Sequence, residues 1–170
     1  MGAPQRQILI DYLDNGGRLY IEGSDFGFNH YTTTFFSYFG CNYDANNTPN
    51  IGTMYGVSGT FTEEMEFAFV SGTDPNYSVD AISAATGTNI FTSAGAYNRA
   101  VIHESRQYKT ICSAPALGGF VNNDDYTRAM LMGEYIAYLT GSATGTSELN
   151  IVSAPAELGN NFPNPFNPSG

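Results

Sequence analysis

Basic residues are scarce in this chain: six Lys and Arg stand against sixteen Asp and Glu, a formal net charge of −10. Nucleic acid and anionic membrane surfaces both reward clustered cations, so neither is expected as a partner, and the acidic balance reads as a solvated surface. Charge of either sign is thin as well, at 13% of residues, while Asn, Thr, Ser, Gly and Tyr are plentiful. That composition leans toward exported domains rather than cytosolic enzymes. No apolar run is long enough to span a bilayer, so no membrane insertion is expected. The opening residues, MGAPQRQ, hold neither the basic n-region nor the apolar h-region of an export leader, so an exported chain of this kind is expected to be a fragment of a longer polypeptide. Cysteine is limited to Cys41 and Cys112, too few for a disulfide framework, and whether the two pair is left open. No close Cys or His pair seeds a zinc site, and no cofactor is expected.

What is present is enough for one domain: 170 residues, 42% hydrophobic and 14% aromatic. The organising stretch is Asn15 to His30. Before it, Ile8, Leu9, Tyr12 and Leu13 share one helical face over Gln7 to Asp14, and Asn15-Gly16-Gly17 supplies a left-handed stop. Leu19 to Glu22 then reads as a short strand running into the corner Gly23-Ser24-Asp25-Phe26-Gly27. A strand that ends in a glycine-flanked corner before a helix is where open α/β sheets place their sites.

Beyond the corner, Asn29 is expected to cap a helix carrying Tyr31, Phe35, Tyr38 and Phe39 on one core face and ending at Gly40. Residues 44 to 52 read as a loop. Met54 to Phe61 and Met65 to Val70 read as the two strands of a hairpin, with Glu63, Glu64 and Glu66 as solvated charges. Asp74, Asn76, Ser78 and Asp80 alternate oxygen-bearing side chains as calcium loops do, but Val79 and Ala85 stand where such a loop wants Gly and Glu, so turn capping is the preferred reading. Asn89 to Ser93, Arg99 to Glu104 and Tyr108 to Ser113 read as strands. The acidic and amide residues from Asn122 to Asp125 open a helix that reaches Leu139 and stops at Gly141.

The corner GSDFG resembles the Gly-x-Cys-x-Gly nucleophile corner of class I glutamine amidotransferases, with Asp25 where the cysteine would be. YLDNGGRLYIEGSDFG, YKTICSAPALGGF and MGEYIAYLTG together resemble the amidotransferase-like domains of secreted bacterial multidomain proteins, over roughly residues 5 to 141. The resemblance implies a three-layer, flavodoxin-like α/β sheet with an inserted β-hairpin. It also implies that one or more N-terminal βα units precede Gln7, so that the strand at Leu19 to Glu22 is left with an open edge. Gly23 and Gly27 would keep the corner's backbone, with Asp25 capping the following helix. A carboxylate replaces a thiolate poorly in amide transfer, so the family's glutaminase activity is not expected. The family's triad also needs a His and a Glu two residues on; here Glu104 is adjacent to His103, and neighbours on a strand face opposite ways.

After a Ser/Thr/Ala-rich linker at 142–157, LGNNFPNPFNPSG at 158–170 resembles the start of the C-terminal sorting domains of the type IX secretion route. The domain plan is therefore 1–141, linker, and sorting stub. Function is expected to be that of a non-catalytic accessory or interaction module of a secreted or cell-surface protein, its partners being the missing N-terminal portion, neighbouring domains and the export machinery. One alternative is a hydrolase using Ser24 or Asp25 with His103 and Glu104. Another is small-ligand or calcium binding at the corner through Asp25.

Overall fold

The computed structural model describes residues 1–46, 48, 51–70 and 78–142. The expected linker from 143 onward, the stub at 158–170, and Asp74 and Asn76 lie outside the described residues. The chain runs α1 (Ala3–Asp14), β1 (Arg18–Glu22), α2 (Phe26–His30), α3 (Thr34–Ser37), β2 (Cys41–Ala45), β3 (Thr53–Gly56), β4 (Glu66–Phe69), β5 (Ala81–Ala84), β6 (Thr88–Ser93), β7 (Tyr97–Glu104), β8 (Lys109–Ser113), β9 (Phe120–Val121) and α4 (Arg128–Thr140). It is a mixed α/β fold in which sheet predominates.

The main sheet has the order β1-β8-β7-β6-β3-β4-β9. Among the described residues only β1 and β8 pair in parallel, in the register Leu19 to Thr110 and Glu22 to Ser113; every other neighbouring pair of this sheet is antiparallel. The β3–β4 pair is the hairpin read from the sequence, but β3 ends at Gly56 rather than Phe61, because the Gly56 N–H already donates to the Met65 carbonyl at 2.8 Å and residues 57–65 form the connecting turns. A second, two-stranded sheet joins β2 to β5. Alternation along β1 and β8 sends side chains to both faces. On one face the Thr110 hydroxyl donates to the Tyr38 carbonyl at 3.0 Å, so the region after α3 packs there. On the other, Tyr20 lies 5.0 Å from the ring of Tyr135 on α4.

Other elements also differ from expectation. The single helix from Asn29 to Gly40 is instead α2 and α3, because the Thr33 hydroxyl accepts the Phe36 N–H at 3.3 Å and restarts the helix. Asn29 is no cap; its amide donates to the Asp25 carbonyl at 2.9 Å. Residues 41–45 form β2, where Cys41 is buried and Asn42 and Asp44 are exposed. So polar an alternation gives little signal of a strand. At the C-terminus Thr127 caps α4, accepting from Met130 N–H at 3.2 Å, and Gly141 at φ 74° ends it.

The core has an aromatic spine. Phe26 meets Phe39 at 5.3 Å and Phe35 at 6.1 Å, while Phe67, Phe91 and Phe120 pack against one another edge-on. Rings meeting edge to face add a favourable quadrupole term to the area they bury. Cys41 and Cys112 are both buried and free; burial, with Cys41 beside it, pushes the Cys112 thiol up.

β1 stands at the edge of the sheet. Tyr12 covers part of that edge, its hydroxyl accepting the Arg18 N–H at 3.0 Å and donating to the Arg18 carbonyl at 3.1 Å. A side chain that engages an edge strand's backbone removes a template for strand addition.

Candidate functional site

The corner grows out of the parallel ladder. Gly23 N–H donates to the Ser113 carbonyl at 3.0 Å, carrying β1's pairing with β8 one residue further. Phe26 N–H then donates back to the Gly23 carbonyl at 3.0 Å, closing the turn into α2. Ser24 is buried, and its carbonyl accepts the Asp80 N–H at 2.8 Å. Asp25 is half-buried; its Oδ1 accepts a long 3.4 Å bond from the Ser78 hydroxyl, which also reaches Asn46 Oδ1 at 3.5 Å.

Asp25 does not cap α2, as no side-chain cap bond is made from that position. Asp80 does so from across the chain: its Oδ2 accepts the Phe28 N–H at 2.8 Å and it also takes a bond from the Gly27 N–H. These N–H groups at a helix start have no intrahelical partner, so a carboxylate arriving from β5's leading edge satisfies them. Asp80 is fully buried, and burial pushes its carboxyl up to about 6; the nearby Asp25 charge adds to that rise, while the two amides and Arg99 oppose it.

Gly27 is what allows this approach. A Cβ there would meet Tyr43 Cδ2 at 2.9 Å, Asp80 Oδ2 at 3.0 Å and Ile82 Cγ2 at 3.1 Å. Gly23 is under no such demand: its nearest neighbour would be Phe26 Cβ at 3.7 Å.

Arg99, read from the sequence only as part of a strand, is fully buried behind Asp80. Its Nη1 donates to the carbonyls of Val79 at 3.0 Å and Asp80 at 2.8 Å and to the Thr48 hydroxyl, while Nε donates to Ser93 Oγ at 2.8 Å. The Tyr97 ring lies 5.2 Å away, and burial pulls the guanidinium down to about 10. Arg99 fixes the backbone that presents Asp80. An arginine inside an otherwise apolar run, in a chain with so few bases, was the available signal.

His103 is elsewhere. It pairs with Thr110, which pairs with Leu19, so it lies about 10 Å along the strands from Glu22, with the corner beyond that point. A Cβ on Gly40 would touch His103 Nδ1 at 2.5 Å, and the Tyr108 ring is 5.8 Å off, which seats the imidazole under the end of α3. Glu104 turns to Lys109 across the ladder, in an ion pair at 3.1 Å. The structure thus brings Ser24, Asp25, Ser78 and Asp80 together, and does not bring His103 or Glu104 to them. Among the described residues no group of three or more His, Cys, Asp or Glu is placed to hold a metal, and no helix is long and apolar enough to cross a membrane.

No family model matches this chain, and no curated protein matches it. Among solved structures it is similar to the mmIFT52 N-terminal domain, at a TM-score of 0.54 and 17% identity over 88% of this chain and 75% of that one. It also overlaps the exo-beta-1,4-mannosidase Op5Man5 from Opitutaceae bacterium strain TAV5, at 0.48 and 12% over 84% of this chain and 22% of that one. The first likeness is one of fold.

Proposed function

We propose that this chain is a non-catalytic accessory or interaction module of a secreted, surface-associated multidomain protein, built on a flavodoxin-like, amidotransferase-like α/β fold. The observation that carries the reading is the occupied corner. In a working nucleophile corner the first amides of the following helix are kept for the substrate's developing negative charge. Here those of Gly27 and Phe28 are held by Asp80, and the only histidine downstream of the corner's own helix is seated under α3. Binding and export then fall to surfaces of the module, with neighbouring domains and the export machinery as partners. An electrophilic glutamine analogue and a fluorophosphonate, each incubated with the 170-residue chain, test this by mass spectrometry. The reading expects no adduct on Ser24 or Asp25; stoichiometric labelling of either overturns it.

A second reading is favoured by one observation, the convergence of Asp25, Ser78, Asn46 and Asp80 oxygens beside the corner. It makes the corner a site for calcium or a small polar ligand. Hard cations favour carboxylate, amide and hydroxyl oxygens. The expected result is a calcium-dependent rise in melting temperature that Asp25→Asn removes.

A further inference from the structure

Next to the corner, α2 and β2 bring three aromatic rings to the surface. Tyr31 and Phe28 are 52% and 50% exposed, although large apolar side chains are ordinarily buried. Tyr31 stacks on Tyr43 with centroids 4.9 Å apart and 27° between planes, and Phe28 lies 6.4 Å from the same ring. Beside this stack is a cavity of about 330 Å³, lined by the rings of Tyr31, Phe36 and Tyr43 together with Thr33, Ser37, Cys41 and Asn42. No Asp, Glu, Lys, Arg or His lines it, in a chain whose net charge is −10.

We propose that this cavity binds a neutral sugar ring. A pyranose has a face of C–H bonds and a rim of hydroxyls, so it needs an aromatic plane on one side and neutral donors and acceptors around it. The outer face of the exposed Tyr31 ring, backed by Tyr43 stacked beneath it, supplies the plane, and its negative π-face attracts the polarised C–H bonds. Asn42 is exposed and offers one acceptor and two donors. Ser37 donates its hydroxyl proton to the Thr34 carbonyl at 2.7 Å, which leaves its oxygen able to accept from a sugar hydroxyl. A phosphate finds no cation here, and a metal ion or a basic peptide finds no carboxylate, so the lining itself selects an uncharged ligand. The volume stands at the small end of ligand pockets, suited to one ring with the rest of an oligosaccharide outside. The inference does not rest on the corner being inactive, since an enzyme could carry the same cavity.

The test is isothermal titration of the 170-residue chain with cellohexaose, mannohexaose and xylohexaose at millimolar concentration. The proposal expects saturable binding of at least one. It expects Tyr31→Ala to weaken that binding tenfold or more and Asn42→Ala to weaken it several-fold, while Tyr55→Ala, at an exposed tyrosine on β3, leaves it unchanged. Both cavity variants alter exposed residues, and an unchanged melting temperature confirms that each remains folded. No saturable binding by any of the three sugars overturns the proposal, as does equal affinity in Tyr31→Ala. Sugar ends released in the same mixtures report turnover separately from binding.

Discussion

Gly27 and Gly23 flank the same corner, but only Gly27 is held to glycine by its surroundings. At Gly27 a methyl group would press on Tyr43, Asp80 and Ile82 at once, all belonging to the β2–β5 layer. Gly27→Ala is therefore expected to cost about 1 to 3 kcal/mol in urea unfolding, whereas Gly23→Ala should change stability by less than about 0.5 kcal/mol. Asp80 makes a second prediction. Its carboxyl titrates near 6 when folded, against an ordinary value of 3.8. As pH rises between those values the unfolded chain loses its proton first, so this group's contribution favours the folded state at low pH and is withdrawn as pH approaches 6. The amount is about 2 to 3 kcal/mol. Asp80→Asn cannot charge, so the stability difference between wild type and variant, from melts at pH 4 to 7, should shift toward wild type as pH falls. Arg99 donates to two carbonyls and two hydroxyls; the Val79 carbonyl keeps Thr48 as a donor, so Arg99→Met should cost about 1 to 3 kcal/mol, chiefly by removing the donor to the Asp80 carbonyl.

At the scale of elements, glycine punctuation and apolar spacing made α1, β1, the existence of the β3–β4 hairpin and the end of α4 at Gly141 legible in the sequence, while the start of α4 and the end of β3 were not. Each legible boundary is set by residues within a turn of it, such as Gly141 in its left-handed conformation. What was not legible depends on distant partners. β2 and β5 are short and carry polar residues, and they are strands because they pair with each other. Thr33 breaks one expected helix in two because its hydroxyl is well placed for the Phe36 amide. The helix start at the corner looked like a place for Asp25, the nearest carboxylate in sequence, but Asp80 arrives from across the chain. The Tyr12 hydroxyl belongs to this scale too, because it joins α1 to the edge of β1. Tyr12→Phe should cost about 1 kcal/mol and, with the Arg18 backbone uncovered, raise the rate of self-association seen by light scattering.

For the whole molecule, the functional reading follows from how the two sheets meet. The β2–β5 layer lies against the corner, supplies Asp80 to the first amides of α2, and brings Tyr43 to the aromatic surface. One packing arrangement therefore sets Asp80 on the first amides of α2 and brings Tyr43 to the cavity next to it. The resemblance read from the sequence pointed to the corner as the place of interest and to Asp25 as the departure from an active site. It could not show that His103 packs under α3, because register between strands is set by long-range pairing. The likeness to the mmIFT52 N-terminal domain concerns the same arrangement of chain, at an identity too low to carry activity with it.

The most direct measurement is hydrolytic turnover by the 170-residue chain on glutamine, a simple aryl ester and a peptide amide, compared with Ser24→Ala and His103→Ala. A structural corner predicts rates equal to the uncatalysed reaction for all three proteins. Turnover by the wild type that both substitutions abolish would contradict the account, and would require Ser24 and His103 to meet in a state different from the one described.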